Sequence, residues 1–127
     1  MIVRRLSIAL VAALMSVPAV AAELRSYSKE AFAAAQTAGA SILVDVHASW
    51  CPTCRAQEPI LNKLEQSEKF DKLVVFKVDF DTQKDALRAL RATSQSTLIV
   101  FKGAAETGRS VGDTKAASIA ALLDRAL

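Results

Sequence analysis

Seven residues, Ser41 to His47, set the tightest limit on the fold: Ile42, Val44 and Val46 alternate with Leu43, Asp45 and His47, so apolar side chains leave the chain on both sides. Successive strand residues point to opposite faces, and a strand that is apolar on both needs a covering layer on each. The expectation is a central strand between helices. Leu73 to Phe80 reads as a second buried strand and Thr97 to Phe101 as a third, with Arg109-Ser110-Val111 an edge strand reached through a hairpin turn from Gly103 to Gly108. The intervening segments read as helices. Ser28 caps the first, with Tyr27 and Phe32 placed to staple it and Gly39 to end it. A second starts at Cys51 with Ile60, Leu61 and Leu64 as its core stripe and a kink expected at Pro59. Asp81 to Ala92 forms a short helix with Ala86, Leu87 and Leu90 inward, and the last helix is capped by Asp113 or Thr114 and buries Ile119, Leu122, Leu123 and Ala126. This order predicts an α/β fold: a central mixed sheet of about four strands flanked by helices on both faces. Long crossovers make the early strands parallel, and the short turn makes the last pair antiparallel.

Where the central strand gives way to the second helix stands Trp50-Cys51-Pro52-Thr53-Cys54, which holds both cysteines of the chain. Helix geometry sets Cα atoms three residues apart at roughly 5 Å, within reach of a disulfide. Cys51, ahead of a Pro suited to the first helical position, lies where free N–H groups and the helix dipole lower a thiol pKa, so it is the expected nucleophile, reachable from solvent. Cys54, one turn inside, is the expected resolving thiol, shielded until a mixed disulfide forms on Cys51. A structural staple is the weaker reading, because so short a loop constrains the unfolded chain little. Zinc wants about four ligands, and one chain offers two Cys and His47, so neither metal nor cofactor is expected.

Residues 1–22 read as a secretory signal peptide: basic Arg4 and Arg5, an apolar run from Leu6, and small residues before Glu23, with cleavage after Ala22 or, next, Ala21. The rival reading, a retained membrane anchor, falls short of the roughly 20 apolar residues a spanning helix needs. The remainder, 23–127, is one domain, and loss of the two arginines takes the formal charge from +3 to +1, which gives no argument for nucleic acid. An exported CxxC pair meets an oxidising compartment and stays reduced only if an electron donor recharges it. The expected location is the periplasm.

The run Ile42 to Cys54 resembles the active-site strand and helix of thioredoxin, and the resemblance continues through Pro59, Lys77, the strand from Thr97 to Gly103, and Gly112. Trp-Cys-Pro-Thr-Cys-Arg-Ala is also similar to the periplasmic reductants of cytochrome c maturation. The resemblance implies Cys51 as nucleophile, Cys54 as resolving thiol, and Asp45 as a buried acid of raised pKa that exchanges a proton with Cys54 through water. It sets Lys77 beside that acid, a strand-end surface lysine being the equal alternative. Trp50, Pro52 and Thr53 flank the sulfurs, with Trp50 as contact surface or ordinary packing. Gln95, Ser96 and Thr97 form the expected substrate-binding segment.

Two positions depart from the family. His47 stands where thioredoxin usually has Trp, adding a group that titrates near neutral pH, in a tuning or a passive role. Ser96 stands where the family has a cis-proline. A cis bond before a non-proline costs about 2.5–4 kcal/mol, so Gln95–Ser96 is expected trans. Ser96 also restores an N–H and adds a hydroxyl, either of which suits a bond to a thiolate. The reading is a monomeric thiol:disulfide oxidoreductase acting as reductant or electron carrier on disulfide-bearing exported proteins, recharged by a membrane electron donor of the DsbD type. The competing class is a thioredoxin-like binding module that holds one partner, or a metal or iron–sulfur cluster shared between two chains.

Overall fold

The computed structural model describes residues 13–17 and 21–127. Most of the expected leader, at residues 1–12 and 18–20, lies outside the described residues, and no described helix is long and apolar enough to cross a membrane. In chain order the elements are β1 (Glu23–Ser26), α1 (Lys29–Thr37), β2 (Ser41–His47), α2 (Pro52–Glu65), a 3-10 turn (Glu68–Phe70), β3 (Leu73–Asp79), α3 (Lys84–Leu90), β4 (Thr97–Lys102), β5 (Ala105–Val111) and α4 (Ala116–Asp124). They form a five-stranded sheet in the order β1-β3-β2-β4-β5. The first three neighbours run parallel, while β4 is antiparallel to both β2 and β5.

The central strand behaves as its pattern demands. Ile42, Val44 and Val46 join Phe76, Val78, Ile99 and Phe101 in a core closed by Phe32 of α1 and Ala86, Leu87 and Leu90 of α3. Leu43 joins Val75, Leu98 and Val100 in a second core, closed by Leu61 of α2 and Ile119, Leu122 and Leu123 of α4. Asp45 leaves β2 on this second face, so the strand hands a carboxyl group to the side where α2 lies. Ser28 caps α1 by accepting from the Ala31 N–H at 3.1 Å, and Tyr27 packs on Phe32 with ring centroids 5.4 Å apart. Gly39, at φ +72°, ends the α1 region and lets Gly103 approach, whose N–H reaches the Ala40 carbonyl at 2.8 Å.

The expected architecture holds, with a fifth strand added at the edge and three element boundaries moved. The sheet has five strands, because Glu23–Ser26 pairs with Val74 to Lys77 at the edge. All four β1 residues are exposed, so no buried face marks the strand. The hairpin turns at Gly103 and Ala104, and β5 therefore begins at Ala105, four residues earlier than expected. Helix α3 starts at Lys84, since Asp79 Oδ1 accepts the N–H groups of Asp81 and Thr82 and folds residues 80–82 into a turn. Lys115 heads α4, and Asp113 acts two residues earlier by accepting the Lys115 N–H at 2.9 Å.

Phe32 touches three other aromatics, with centroids 5.4 Å from Tyr27, 5.6 Å from Phe76 and 5.2 Å from Phe101. Phe32→Ala should lower stability by about 3–4 kcal/mol in urea unfolding, through lost burial and the cavity left behind. A loss under about 1 kcal/mol would show that α1 is not held through this ring.

Candidate active site

Cys51 is the N-cap of α2, in extended backbone at φ −82° and ψ 112°, and Pro52 opens the helix behind it. Proline suits that place because its fixed φ is helical and its missing N–H had no helical partner to lose. The Cys51 sulfur accepts the Cys54 N–H at 3.0 Å, the bond a serine or aspartate oxygen makes at most helix starts. Cys51 and Cys54 are joined as a disulfide with Cα atoms 5.3 Å apart, so helix geometry alone brings them into bonding range. One expectation is reversed in this oxidised form: Cys51 is 1 % exposed, whereas Cys54 is half-buried. The N-cap turn carries the first sulfur inward over its own helix and under Ser96, and the second faces a cavity.

Ser96 is bonded through a trans peptide and lies at φ +61°, in the left-handed region that non-glycine residues seldom occupy. Its surroundings hold it there. The Ser96 N–H donates to the Val46 carbonyl at 2.8 Å, while its carbonyl accepts the Gly112 N–H at 3.0 Å and Gln57 Nε2 at 3.3 Å. The N–H expected to reach a thiolate is therefore engaged by β2. The hydroxyl, 3.2 Å from Cys51 Sγ and 3.4 Å from Cys54 Sγ, is the group that meets the sulfurs. Of its neighbours, Thr97 is buried and donates its hydroxyl to the Ser94 carbonyl at 2.7 Å, while Gln95 stays half-exposed.

Behind the disulfide lies a cavity of about 200 Å³ lined by Asp45, His47, Cys54, Arg55, Glu58 and Lys77, among others. Its volume exceeds the roughly 30 Å³ share of one water molecule, so a water-borne path between the Asp45 carboxyl group and the Cys54 sulfur is sterically open. Register places Asp45 directly opposite Lys77, and Lys77 Nζ stands 3.4 Å from Asp45 Oδ2. Lys77 is therefore the partner of the buried acid while keeping about a third of its side chain in solvent (36 %). His47 borders the same cavity with Nδ1 buried and unpartnered among the described residues. The Asp81 N–H, with further pulls from the Thr82 N–H and nearby His47, holds Asp79 below the ordinary carboxylate range. Trp50 is 53 % exposed and tethered by its indole N–H to Asp81 Oδ2 at 2.9 Å, which fixes the orientation of its ring. Pro52 is exposed and Thr53 half-buried at the helix start. Among the described residues no group of three or more His, Cys, Asp or Glu side chains is gathered to hold a metal ion.

Two polar residues were missed by the apolar stripe. The inward face of α2 is Gln57, Leu61 and Glu65, at steps of four. Gln57, 1 % exposed, ties the Ser96 carbonyl to that of Asp113, its Nε2 donating to the latter at 2.9 Å. Glu65, 3 % exposed, leaves Oε1 without a partner among the described residues, and burial pushes its pKa up to about 7, with Lys77 pulling down and Asp45 pushing further up. Their spacing was the available signal, but Gln and Glu read as surface residues unless the helix phase is already known.

A CxxC disulfide that opens a helix at the C-terminal end of a central strand, with a buried acid behind it, defines a thiol:disulfide oxidoreductase. The comparisons agree. The thioredoxin family model matches residues 23–125. Thioredoxin of Echinococcus granulosus is 32 % identical over 102 residues, covering 80 % of this chain and 91 % of its own length, and thioredoxin H-type of Fagopyrum esculentum is 34 % identical over 86 residues, 68 % and 72 %. The crystal structure of Trxlp from Edwardsiella tarda superposes with a TM-score of 0.78 at 44 % identity, covering 80 % of this chain and 98 % of that one. The chain belongs to the thioredoxin family.

Glu65 gives a signed pH dependence. Its folded pKa of about 7 exceeds the ordinary 4.5, so between those values the folded protein binds more protons, and this group's contribution to stability falls as pH rises from about 4.5 to about 7. Glu65→Gln should remove that slope, raising stability at pH 8 by on the order of 2–3 kcal/mol and changing little at pH 4. Chemical denaturation at the two pH values checks it; an equal change at both would contradict a titrating Glu65.

Proposed function

We propose that this protein is a periplasmic reductant or electron carrier that acts on disulfides of exported proteins. The observation that carries the reading is the bond from the Cys54 N–H, in the first turn of α2, to Cys51 Sγ, together with a Cys54 that faces the Asp45 cavity. A helix N-terminus favours the anion, which makes Cys51 the attacking thiolate. That thiolate attacks one sulfur of the substrate disulfide: a Cys51–substrate bond forms, the substrate S–S bond breaks, and the departing thiolate takes a proton. Cys54 then gives its proton toward Asp45 through the cavity, attacks the Cys51 sulfur and expels the second substrate thiolate. Two electrons have passed to the substrate, and the protein is left in its disulfide form.

Return to the dithiol requires an external reductant, a membrane protein of the DsbD type that supplies a dithiol and takes up the disulfide. The leader at residues 1–22 supports export, by its basic start, apolar run and small residues before Glu23. The Trp50-to-Ala56 run, similar to that of the periplasmic reductants of cytochrome c maturation, supports a role in that process. The domain works as a monomer.

Wild-type protein should accelerate insulin reduction by dithiothreitol, and Cys51→Ser should abolish the gain. Cys54→Ser, expressed in the native periplasm, should accumulate mixed disulfides with exported proteins. No rate above that of dithiothreitol alone would reject the reductant, and a measured potential near the about −120 mV of a strong oxidant, far from thioredoxin's about −270 mV, would reverse its direction.

A further inference from the structure

Ser96 Oγ is the one side-chain hydroxyl within hydrogen-bond distance of the two sulfurs among the described residues, and it reaches both. The residue is 3 % exposed, so water does not compete freely for its proton. Its left-handed backbone is what aims the hydroxyl inward, and that conformation is fixed through the Val46 carbonyl on one side and through Gly112 and Gln57 on the other. Non-glycine residues persist in such conformations where surrounding structure over-determines them, and they gather at reacting sites. Gln57 lies one helical turn beyond Cys54 on the inward face of α2 and is 1 % exposed, so the helix that carries the sulfurs also carries the amide that grips Ser96.

Disulfide sulfur is a weak acceptor and thiolate a strong one. We propose that the Ser96 hydroxyl is a catalytic hydrogen-bond donor to the reacting sulfur, bonding Cys51 in the free dithiol and passing to Cys54 once Cys51 is in mixed disulfide, with Gln57 as the residue that positions it. This rests on the Cys51–Cys54 cycle set out above. In the free dithiol the Cys51 thiolate receives two donors, the Cys54 N–H and the Ser96 O–H. Attack on the substrate turns that thiolate into a neutral disulfide sulfur, which releases the hydroxyl to rotate toward Cys54 as the latter loses its proton. The hydroxyl keeps its own proton throughout, and only its acceptor changes. The titratable groups around the cavity on the Cys54 side, Asp45, His47, Arg55, Glu58 and Lys77, are left unsubstituted in every variant named below.

Ser96→Ala removes the hydroxyl and leaves the backbone demand; Ser96→Gly removes the hydroxyl and also the demand, since glycine accepts positive φ freely. The Cys51 pKa is read from thiolate absorbance against pH, and the potential from equilibrium with glutathione. Both variants should raise the thiolate pKa by at least about one unit and lower the potential by about 30 mV, which is the tenfold change in equilibrium constant for a two-electron couple. Gln57→Met should shift both in the same direction by less. Unchanged values in both Ser96 variants overturn the proposal, as does a shift in one without the other, which would assign the effect to backbone strain. Insulin turnover by wild-type protein tests the underlying cycle separately: its absence removes the reductant, whereas a normal wild-type rate beside unmoved variants removes only the role of Ser96.

Discussion

A sulfur takes the capping place at the head of α2, and the rest of the site depends on that substitution of sulfur for oxygen. Capping groups are acceptors, and the helix start is a cluster of donors with a positive dipole end, so whatever sits there is favoured as an anion. A serine oxygen would satisfy the Cys54 N–H and remain inert at neutral pH. A cysteine sulfur in the same geometry satisfies it and becomes a nucleophile. Cys54 follows one turn later, close enough for the two sulfurs to bond with the helix intact.

The surrounding fold exists to hold that helix end against a strand end. β2 is covered on both faces, and its last residues deliver Asp45 to the α2 side and Val46 to Ser96. Two cores therefore fix the same strand from opposite directions, and the site inherits their rigidity. The polar residues behind the disulfide are the departure from this apolar frame. Asp45, Lys77 and Glu65 put two carboxyl groups and one ammonium into or beside the second core, and the structure tolerates Glu65 through partial neutralisation at neutral pH. That arrangement costs stability in alkaline conditions.

Much of this was legible from residue pattern. Both-face apolar alternation marked β2 within its observed ends, the Ser28 cap and the Tyr27–Phe32 staple lay where local chemistry put them, and the CxxC pair fell at a strand end because a strand pattern stops at His47 and a proline-led helix starts at Pro52. What stayed illegible has physical causes. β1 is an exposed edge of four residues, defined by backbone pairing with β3 and by no side-chain pattern. Gln57 and Glu65 are buried polar groups, which hydropathy reads as surface. The left-handed Ser96 arises from contacts with Val46, Gly112 and Gln57, all distant in sequence, so composition told only that proline was missing and not which conformation replaced it. The exposure order of the sulfurs depends on that same inward turn, and local helix reasoning placed them the other way round.

That reversal makes the central claim separable from simple accessibility. If exposure governs, the half-buried Cys54 reacts first; if the helix N-terminus governs, Cys51 does, despite its cover in the disulfide form. The direct measurement is the rate of iodoacetamide labelling of the reduced protein at neutral pH, resolved by peptide mapping. The account predicts that Cys51 is modified at least about tenfold faster than Cys54. Equal rates, or faster labelling of Cys54, would contradict it.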